Sequence, residues 1–191
     1  PASDFDAYGG TDGSAPLANI TNQVVAGVVS KVNPRYYNNP TGEPSNLVSY
    51  AEVEFTLAEA AARGWITASA EEHYNNGVIA SFEFYGASDV AAYLSVSGVA
   101  YNPSNGIELI ITQKYINFFM NGGWETFYNH LRTGFPEFST DGGGVLNNQQ
   151  GPKRWMYPED ELQLNQANVE AAIGRQFTAD DINGVMWLLK N

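Results

Sequence analysis

The spacing of hydrophobic residues predicts two consecutive helices in the middle of the chain. The second begins with a capping box, in which Ser69 accepts from the backbone of Glu72 and the Glu72 side chain reaches back. Gly64 stops the first helix, whose apolar positions recur at helical spacing and are Tyr50, Val53, Leu57 and Ala61. The apolar face of the second helix comprises Tyr74, Val78, Phe82 and Tyr85. Two short helices joined by a tight turn form a helical hairpin of the tetratricopeptide type, which needs neighbours to bury its faces.

Helical patterns continue toward the C-terminus. The segment NGIELIITQKYINFFMN starts with Asn105 and Glu108 as a second capping pair, and Gly122-Gly123 breaks or kinks it. The segment WETFYNHLRTGFPEF follows and ends at Gly134, with Pro136 after it. Its predicted face consists of Trp124, Phe127, Tyr128 and Leu131.

Two more helices are predicted near the end of the chain. One starts near Pro158, which fits a first helical position. The other is TADDINGVMWLLK, capped by Thr178 with Asp181 three residues on. Alternation typical of strands is limited to short pieces near Trp155. The fold class is therefore mainly α, with long irregular loops.

The first part of the chain, up to about Asn46, has few periodic positions. It is rich in Gly, Pro, Asn, Ser and Thr, which favours loops. VVAGVVSKV, residues 24–32, fits either a short helix or a strand, and NPRYYNNPTGEPSN is predicted to be loop. The chain thus divides into a loop-rich part (1–49), a helical hairpin (50–86) and C-terminal helices with loops (87–191).

Composition and charge exclude several function classes. The 191 residues suffice for one ordinary domain, and only 16% of them are charged, so that amides and hydroxyls must provide much of the polar surface. Such a surface suits neutral, hydroxyl-rich ligands. The net charge of −12 argues against nucleic acid and anionic membranes as partners. The absence of cysteine excludes disulfides, thiolate metal sites and a cysteine nucleophile.

Acid–base and metal chemistry have weak support. Glu125 and the run Glu159–Glu161 are the candidate acids, but they fall at predicted helix starts, where acidic side chains complement the helix dipole. His73 and His130 lack metal-like spacing. The run Asp4, Asp6, Gly9 fails as a calcium loop because Ala15 stands where a bidentate Glu is required. We therefore expect no catalytic residue, metal or cofactor.

Aromatic residues in polar loops are the most ligand-like feature. We predict ligand-binding roles for Tyr8, Tyr36, Tyr37 and Tyr101, because sugar rings stack on exposed aromatic rings while amides bond their hydroxyls. Trp65 is expected instead to pack the helical hairpin. Arg132 and Arg154 lie among aromatics, and we expect each to be buried and paired with Glu125 or Glu161, with contact to a ligand as the alternative.

Three motifs in order resemble the SusD/RagB superfamily. GGWETFYNHLRTGFPEF resembles its Trp-x-x-aromatic-Tyr, Arg-Thr-Gly-x-Pro signature, and YAEVEFTLAEAAARGW resembles its late tetratricopeptide helix. RWMYPEDELQLNQANVEAA is similar to the closing motif of the family, which falls here on Arg154, Tyr157, Pro158, Glu161, Asn165 and Asn168. The resemblance covers the chain from about Tyr50 to the end. By this resemblance the closing motif is a structural clasp, in which Asn165 and Asn168 tie the segment to neighbouring backbone and Arg154 pairs with Glu161.

The resemblance implies a lipid-anchored, surface-exposed nutrient-binding protein of the Bacteroidota outer membrane, without enzymatic activity. Such proteins pass glycans, or peptides in some branches, to a SusC-type TonB-dependent transporter. Family members are considerably longer, so the chain is interpreted as the C-terminal part of one SusD-like domain. The signal peptide, lipid anchor and earlier helices would belong to the N-terminal part of the precursor, which we expect to cover apolar surface on the hairpin.

Two other functions stay open. A glycoside hydrolase fragment would use Glu125 and one of Glu159–Glu161. A helical module that binds a peptide or protein would use the face that carries Val53 and Leu57.

Overall fold

The computed structural model describes residues 8–190 and is mainly helical, with no β-strand among those residues. This confirms the predicted fold class. The described residues form two compact units, one made of residues 8–9 and 30–137 and the other of residues 10–29 and 138–190. The three-part division expected from the sequence stays a prediction. No helix within the described residues is long and apolar enough to cross a membrane.

The first unit contains six α-helices and a short 3₁₀ turn at Pro103–Asn105. The helices are α2 (Arg35–Asn38), α3 (Tyr50–Ala62), α4 (Ala70–Tyr85), α5 (Val90–Leu94), α6 (Gly106–Asn117) and α7 (Glu125–Thr133). Helix α3 packs against both α4 and α6. Their shared core includes the fully buried side chains of Phe55, Tyr74, Val78 and Ile110.

Local sequence signals set the ends of the hairpin helices. Ser69 Oγ accepts from the Glu72 N–H at 3.2 Å, which confirms the serine half of the predicted capping box, and Ser49 Oγ does the same for Glu52 at 3.1 Å. The chain leaves α3 through Gly64, whose φ of +72° is one that glycine adopts without strain. Helix α7 ends at Gly134, as predicted.

The side of α3 that packs within this chain is not the apolar face predicted from the sequence. Tyr50 and Val53 are exposed, and the buried residues are Ala51, Glu54, Phe55, Ala58 and Glu59. The small alanines let α4 and α6 approach this side closely, and the two carboxylates are tolerated there because they have partners. His73 Nδ1 lies 2.7 Å from Glu54 Oε2, and Arg63 Nε donates to Glu59 Oε1 at 2.8 Å.

The first part of the chain is more ordered than predicted. Residues 35–38 form the short helix α2 instead of a loop. The Arg35 guanidinium donates to the Tyr85 carbonyl at 3.0 Å and also pairs with Glu43. This contact ties the segment to the end of α4.

The second unit contains three α-helices and a 3₁₀ turn at Trp187–Leu189. The helices are α1 (Leu17–Val25), α8 (Glu159–Leu164) and α9 (Gln166–Gln176). The predicted helix from Thr178 is wrong, because Phe177 is extended and the Asp180 carboxylate accepts from Arg154 Nη1 at 2.6 Å and from the Tyr157 N–H at 3.0 Å. Residues 24–32 are helical only as far as Val25.

The hydrogen-bond and ion-pair partners of the closing motif differ from those predicted. Arg154 is buried as expected, but it pairs with Asp180, not with Glu125 or Glu161, and its guanidinium lies 4.3 Å from the Phe177 ring centroid. Asn165 Nδ2 donates to Glu161 Oε2 at 3.2 Å, and Asn168 Nδ2 donates to Asn165 Oδ1 at 2.6 Å. The amides therefore bond side chains at the junction of α8 and α9, and not the neighbouring backbone as predicted.

Candidate functional site

A groove of about 620 Å³ lies in the first unit, where the turn between α3 and α4 meets the start of α6. Its walls come from three stretches of chain that are distant in sequence: the end of α3 with the start of α4, the 3₁₀ turn with the start of α6, and the segment after α7. The lining residues are Ala62, Ser69, Ala70, Glu71, Tyr101, Pro103, Ser104, Asn105, Gly106, Ile107, Glu108 and Phe135.

Two helix starts face this groove. At α4 the cap is Ser69, and Glu71 follows in the first turn. Before α6 the turn is held by Asn102, whose Oδ1 accepts from the Ser104 N–H at 3.0 Å and from its hydroxyl at 2.9 Å. The predicted capping by Asn105 is wrong, because Asn105 makes no side-chain cap hydrogen bond.

Tyr101 forms an aromatic part of the groove. It is half-buried, and its ring centroid lies 5.4 Å from that of Tyr74, which is in the core. The tyrosine ring lies so close to the start of α6 that a Cβ added to Gly106 would stand 2.7 Å from the Tyr101 hydroxyl oxygen. Burial, and then the Glu71 charge, raises the pKa of Tyr101. The hydroxyl therefore stays protonated at neutral pH and can both donate and accept.

Trp65 lies in the turn between two lining residues, Ala62 and Ser69. It is 70% exposed, so the prediction that it packs the hairpin is wrong. The backbone fixes its position, because its N–H donates to the Ala60 carbonyl at 2.9 Å. The Arg63 guanidinium lies 5.4 Å from the indole centroid. An exposed indole is the kind of surface on which a sugar ring stacks, although Trp65 is not among the groove-lining residues.

The other predicted ligand residues lie outside the groove lining. Tyr37 is 64% exposed on α2, and Tyr8 is 59% exposed. The Tyr36 ring packs edge-on against Phe119, with centroids 5.8 Å apart. Of the four tyrosines, the structure therefore places Tyr101 in the groove, Tyr8 and Tyr37 on open surface, and Tyr36 in a packing contact.

The candidate acids and histidines have structural surroundings. Glu125 and the run Glu159–Glu161 occupy the first turns of α7 and α8, which confirms their predicted positions at helix starts. The His130 Nδ1 atom lies 2.9 Å from the Pro136 carbonyl oxygen. Within residues 8–190 no group of three or more His, Asp or Glu side chains could hold a metal ion. The Asp4/Asp6 run lies outside the described residues.

Arg132 has a partner that the sequence prediction missed. It is exposed, with 45% of its side-chain surface accessible, and it is not paired with Glu125 or Glu161, so both parts of the prediction are wrong for this arginine. Its guanidinium donates to both oxygens of Glu59, with 2.8 Å between Nη2 and Oε2. Burial alone would raise the pKa of Glu59, but the hydrogen bonds from Arg132 and Arg63 outweigh it and lower that pKa.

The groove can bind a ligand with both apolar faces and hydroxyl groups. The Tyr101 and Phe135 rings offer apolar surface, while Ser104, Asn105 and the carboxylates offer hydrogen-bonding groups. Of the tyrosines predicted to bind a ligand, Tyr101 lines the groove and its ligand-binding role stays a prediction. The sequence did not single out Glu71 or Phe135, or the exposure of Trp65. The helix-start signals at Ser69 and Asn105 were visible, but nothing local indicated that the two helix starts share one groove.

The fold is mainly helical and its groove is lined by aromatic and polar residues. Comparison with known proteins gives the family of the chain. A family model described as SusD-like, starch-binding associating with outer membrane, matches residues 7–158. The chain belongs to the SusD-like family, as the three motifs predicted. A comparison with curated proteins found no match.

Solved structures agree with this assignment. A SusD homologue from Bacteroides fragilis is similar with a TM-score of 0.87 and 34% identity over 98% of this chain. A second homologue from the same organism has a TM-score of 0.84 and 39% identity over the whole chain. This chain spans 44% of the length of each. A chitin-binding protein is similar with a TM-score of 0.59 and 34% identity, over 74% of this chain and 33% of its own.

Proposed function

We propose that the chain binds an oligosaccharide in the groove between the α3–α4 turn and the start of α6, without breaking or forming bonds in it. The observation that carries this proposal is the groove itself, where two aromatic rings lie among hydroxyl, amide and carboxylate groups. A sugar ring presents C–H faces to aromatic rings and hydroxyls to polar side chains, so both halves of its surface find partners there.

Each part of the groove has a proposed role. Tyr101 and Phe135 form the apolar wall, and the protonated Tyr101 hydroxyl exchanges hydrogen bonds with sugar hydroxyls. Ser104 and Asn105 hold further hydroxyls. Trp65 extends the site at its rim as a stacking surface. Tyr8 and Tyr37 are proposed as contacts for parts of a long glycan that lie beyond the groove, and Tyr36 contributes by holding its segment against Phe119.

The relatives support glycan binding at the outer membrane. The family description combines starch binding with association to the outer membrane, and a structural relative is described as chitin-binding. We extend this to surface exposure through a lipid anchor on the N-terminal part of a longer precursor, and to delivery of the glycan to a SusC-type TonB-dependent transporter. These roles are proposed for the whole protein, because this chain spans only 44% of the length of the first two relatives.

Calorimetric titration of the 191-residue chain with soluble glycans, including starch and chitin oligosaccharides, tests the proposal. Trp65→Ala should weaken binding by about 2- to 12-fold, the range expected for loss of one stacking contact. Trp187→Ala is the matched control, because Trp187 is 69% exposed but lies in the other unit. Circular dichroism verifies that each variant is folded.

The outcomes separate the competing sites. Failure of the folded chain to bind any glycan, or equal weakening by the two tryptophan variants, would refute the groove as the site. A Tyr36→Ala/Tyr37→Ala variant that abolishes binding while Trp65→Ala has no effect would move the site to α2. Glu125→Gln should leave binding unchanged, whereas a glycoside hydrolase would lose turnover.

The exposed side of α3 favours a second candidate function, binding of a peptide or protein. Tyr50 and Val53 are exposed there, and an apolar helix face of this kind can dock a partner. Polar substitution at Val53 should then abolish association with a protein partner in cross-linking, while Trp65→Ala should leave it intact. The reverse pattern supports the glycan groove.

A further inference from the structure

The charge of the groove lining points to a class of sugar. Glu71 and Glu108 are the charged residues of the lining, and no Lys, Arg or His contributes to it. Both carboxylates are exposed, and neither takes part in an ion pair in the described part of the chain. The arginine nearest to Glu71 in sequence is Arg63, and it already donates to Glu59.

The helix starts do not cancel this charge. Glu71 and Glu108 each lie in the first turn of a helix. The end of a helix dipole amounts to roughly half a positive charge, so that two helix starts supply about one positive charge against two carboxylates. At α4 the Glu72 N–H is in addition taken up by Ser69. The groove therefore presents a net negative charge to a ligand.

An oligosaccharide that carries ammonium groups fits this arrangement. A protonated 2-amino sugar keeps the C–H face that stacks on Tyr101 and Phe135, and its ammonium group can donate to a carboxylate. A uronate or sulfated sugar would instead place like charges together, which is unfavourable. A neutral sugar is expected to bind more weakly than the cationic sugar and more tightly than the anionic one.

Resting on the proposed function, we infer that Glu71 and Glu108 make the groove selective for amino-bearing, cationic oligosaccharides over neutral ones, and for neutral ones over anionic ones. Each pairing is solvent-exposed and thus modest in strength. For two such pairings we expect about a tenfold preference for a cationic over a neutral ligand of the same length.

Calorimetric titration with three tetrasaccharides tests the inference: a β-1,4-linked glucosamine oligomer, its N-acetylated counterpart and a galacturonate oligomer. The glucosamine oligomer should bind about tenfold more tightly than the acetylated one, and the galacturonate oligomer should bind most weakly. The double variant Glu71→Gln/Glu108→Gln should reduce the preference to within about twofold and retain binding of the acetylated oligomer. Raising NaCl to about 0.5 M should shrink the preference of the unaltered chain.

A matched double variant, Glu72→Gln/Glu83→Gln, removes two charges from α4 outside the groove lining and should keep the preference. If it loses the preference as fully as the groove variant does, the overall charge of the chain is responsible and the inference fails. Binding of the acetylated oligomer with no preference for the amine would overturn the inference and leave the proposed function standing. Binding of none of the three oligomers, with no binding in the wider glycan panel, would overturn both.

Discussion

The contact between Gly106 and Tyr101 gives the sharpest test of how the groove is built. Gly106 is buried at the start of α6, and a Cβ there would lie 2.7 Å from the Tyr101 hydroxyl oxygen, 3.2 Å from Cζ and 3.4 Å from Cε2. The first distance is too short for real atoms, so Gly106→Ala must displace the ring or the helix. The tyrosine cannot swing freely, because it packs against the buried ring of Tyr74.

Two opposing effects determine how much Gly106→Ala changes the free energy of unfolding. Overpacking of this kind costs about 1–3 kcal/mol, while alanine gains at most about 1 kcal/mol over glycine in a helix. We therefore expect Gly106→Ala to lower the free energy of unfolding by about 1–2 kcal/mol. Glycan binding should weaken as well, because Tyr101 lines the groove.

Removal of the hydroxyl should relieve the clash. In a Tyr101→Phe background the nearest ring atom would be Cζ at 3.2 Å, a separation that a small shift can accommodate. Gly106→Ala should then be almost neutral for stability, so a double-mutant cycle should give a coupling free energy of about 1–2 kcal/mol. Urea unfolding followed by circular dichroism measures the four stabilities. Additive effects, with a coupling below about 0.5 kcal/mol, would refute the reasoning.

Three further predictions concern the hairpin. Gly77→Ala should destabilise the chain by about 1–2 kcal/mol in urea unfolding, because the added Cβ would lie 2.7 Å from the buried Phe55 ring. A second substitution, Phe55→Leu, should rescue part of that loss. Burial would raise the pKa of Glu59, but the hydrogen bonds from its arginine partners prevail and lower that pKa below its ordinary value of 4.5. The ionised Glu59 therefore stabilises the folded chain above pH 4.5, and this stabilisation is lost as the pH falls through the folded-state pKa. Arg132→Met should therefore cost about 1–2 kcal/mol at pH 7 and progressively less as the pH falls below 4.5; a cost that does not change as the pH falls would contradict this. Trp65→Ala should change stability by less than about 0.5 kcal/mol, since the side chain is exposed, and a larger loss in thermal unfolding would mean that the indole packs after all.

The ion-pair partners of the two arginines could not be predicted from the sequence. The chemistry of both arginines suggested carboxylate partners, and each has one. Arg132, however, pairs with Glu59, which is 73 residues away along the chain, and Arg154 pairs with Asp180. A single sequence contains no signal that ranks one distant carboxylate above another, because the choice depends on which helices pack together.

The sequence by itself determined the mainly helical class, the family and many helix ends. A serine cap such as Ser69 or a glycine stop such as Gly134 acts through hydrogen bonds and dihedral angles within a few residues, so its effect is readable locally. Tertiary structure decided which side of α3 is buried and that Trp65 stays exposed. It also brought Glu71, Tyr101 and Phe135 to one groove. These outcomes depend on contacts between segments that are far apart in the chain, and packing, not local preference, sets them.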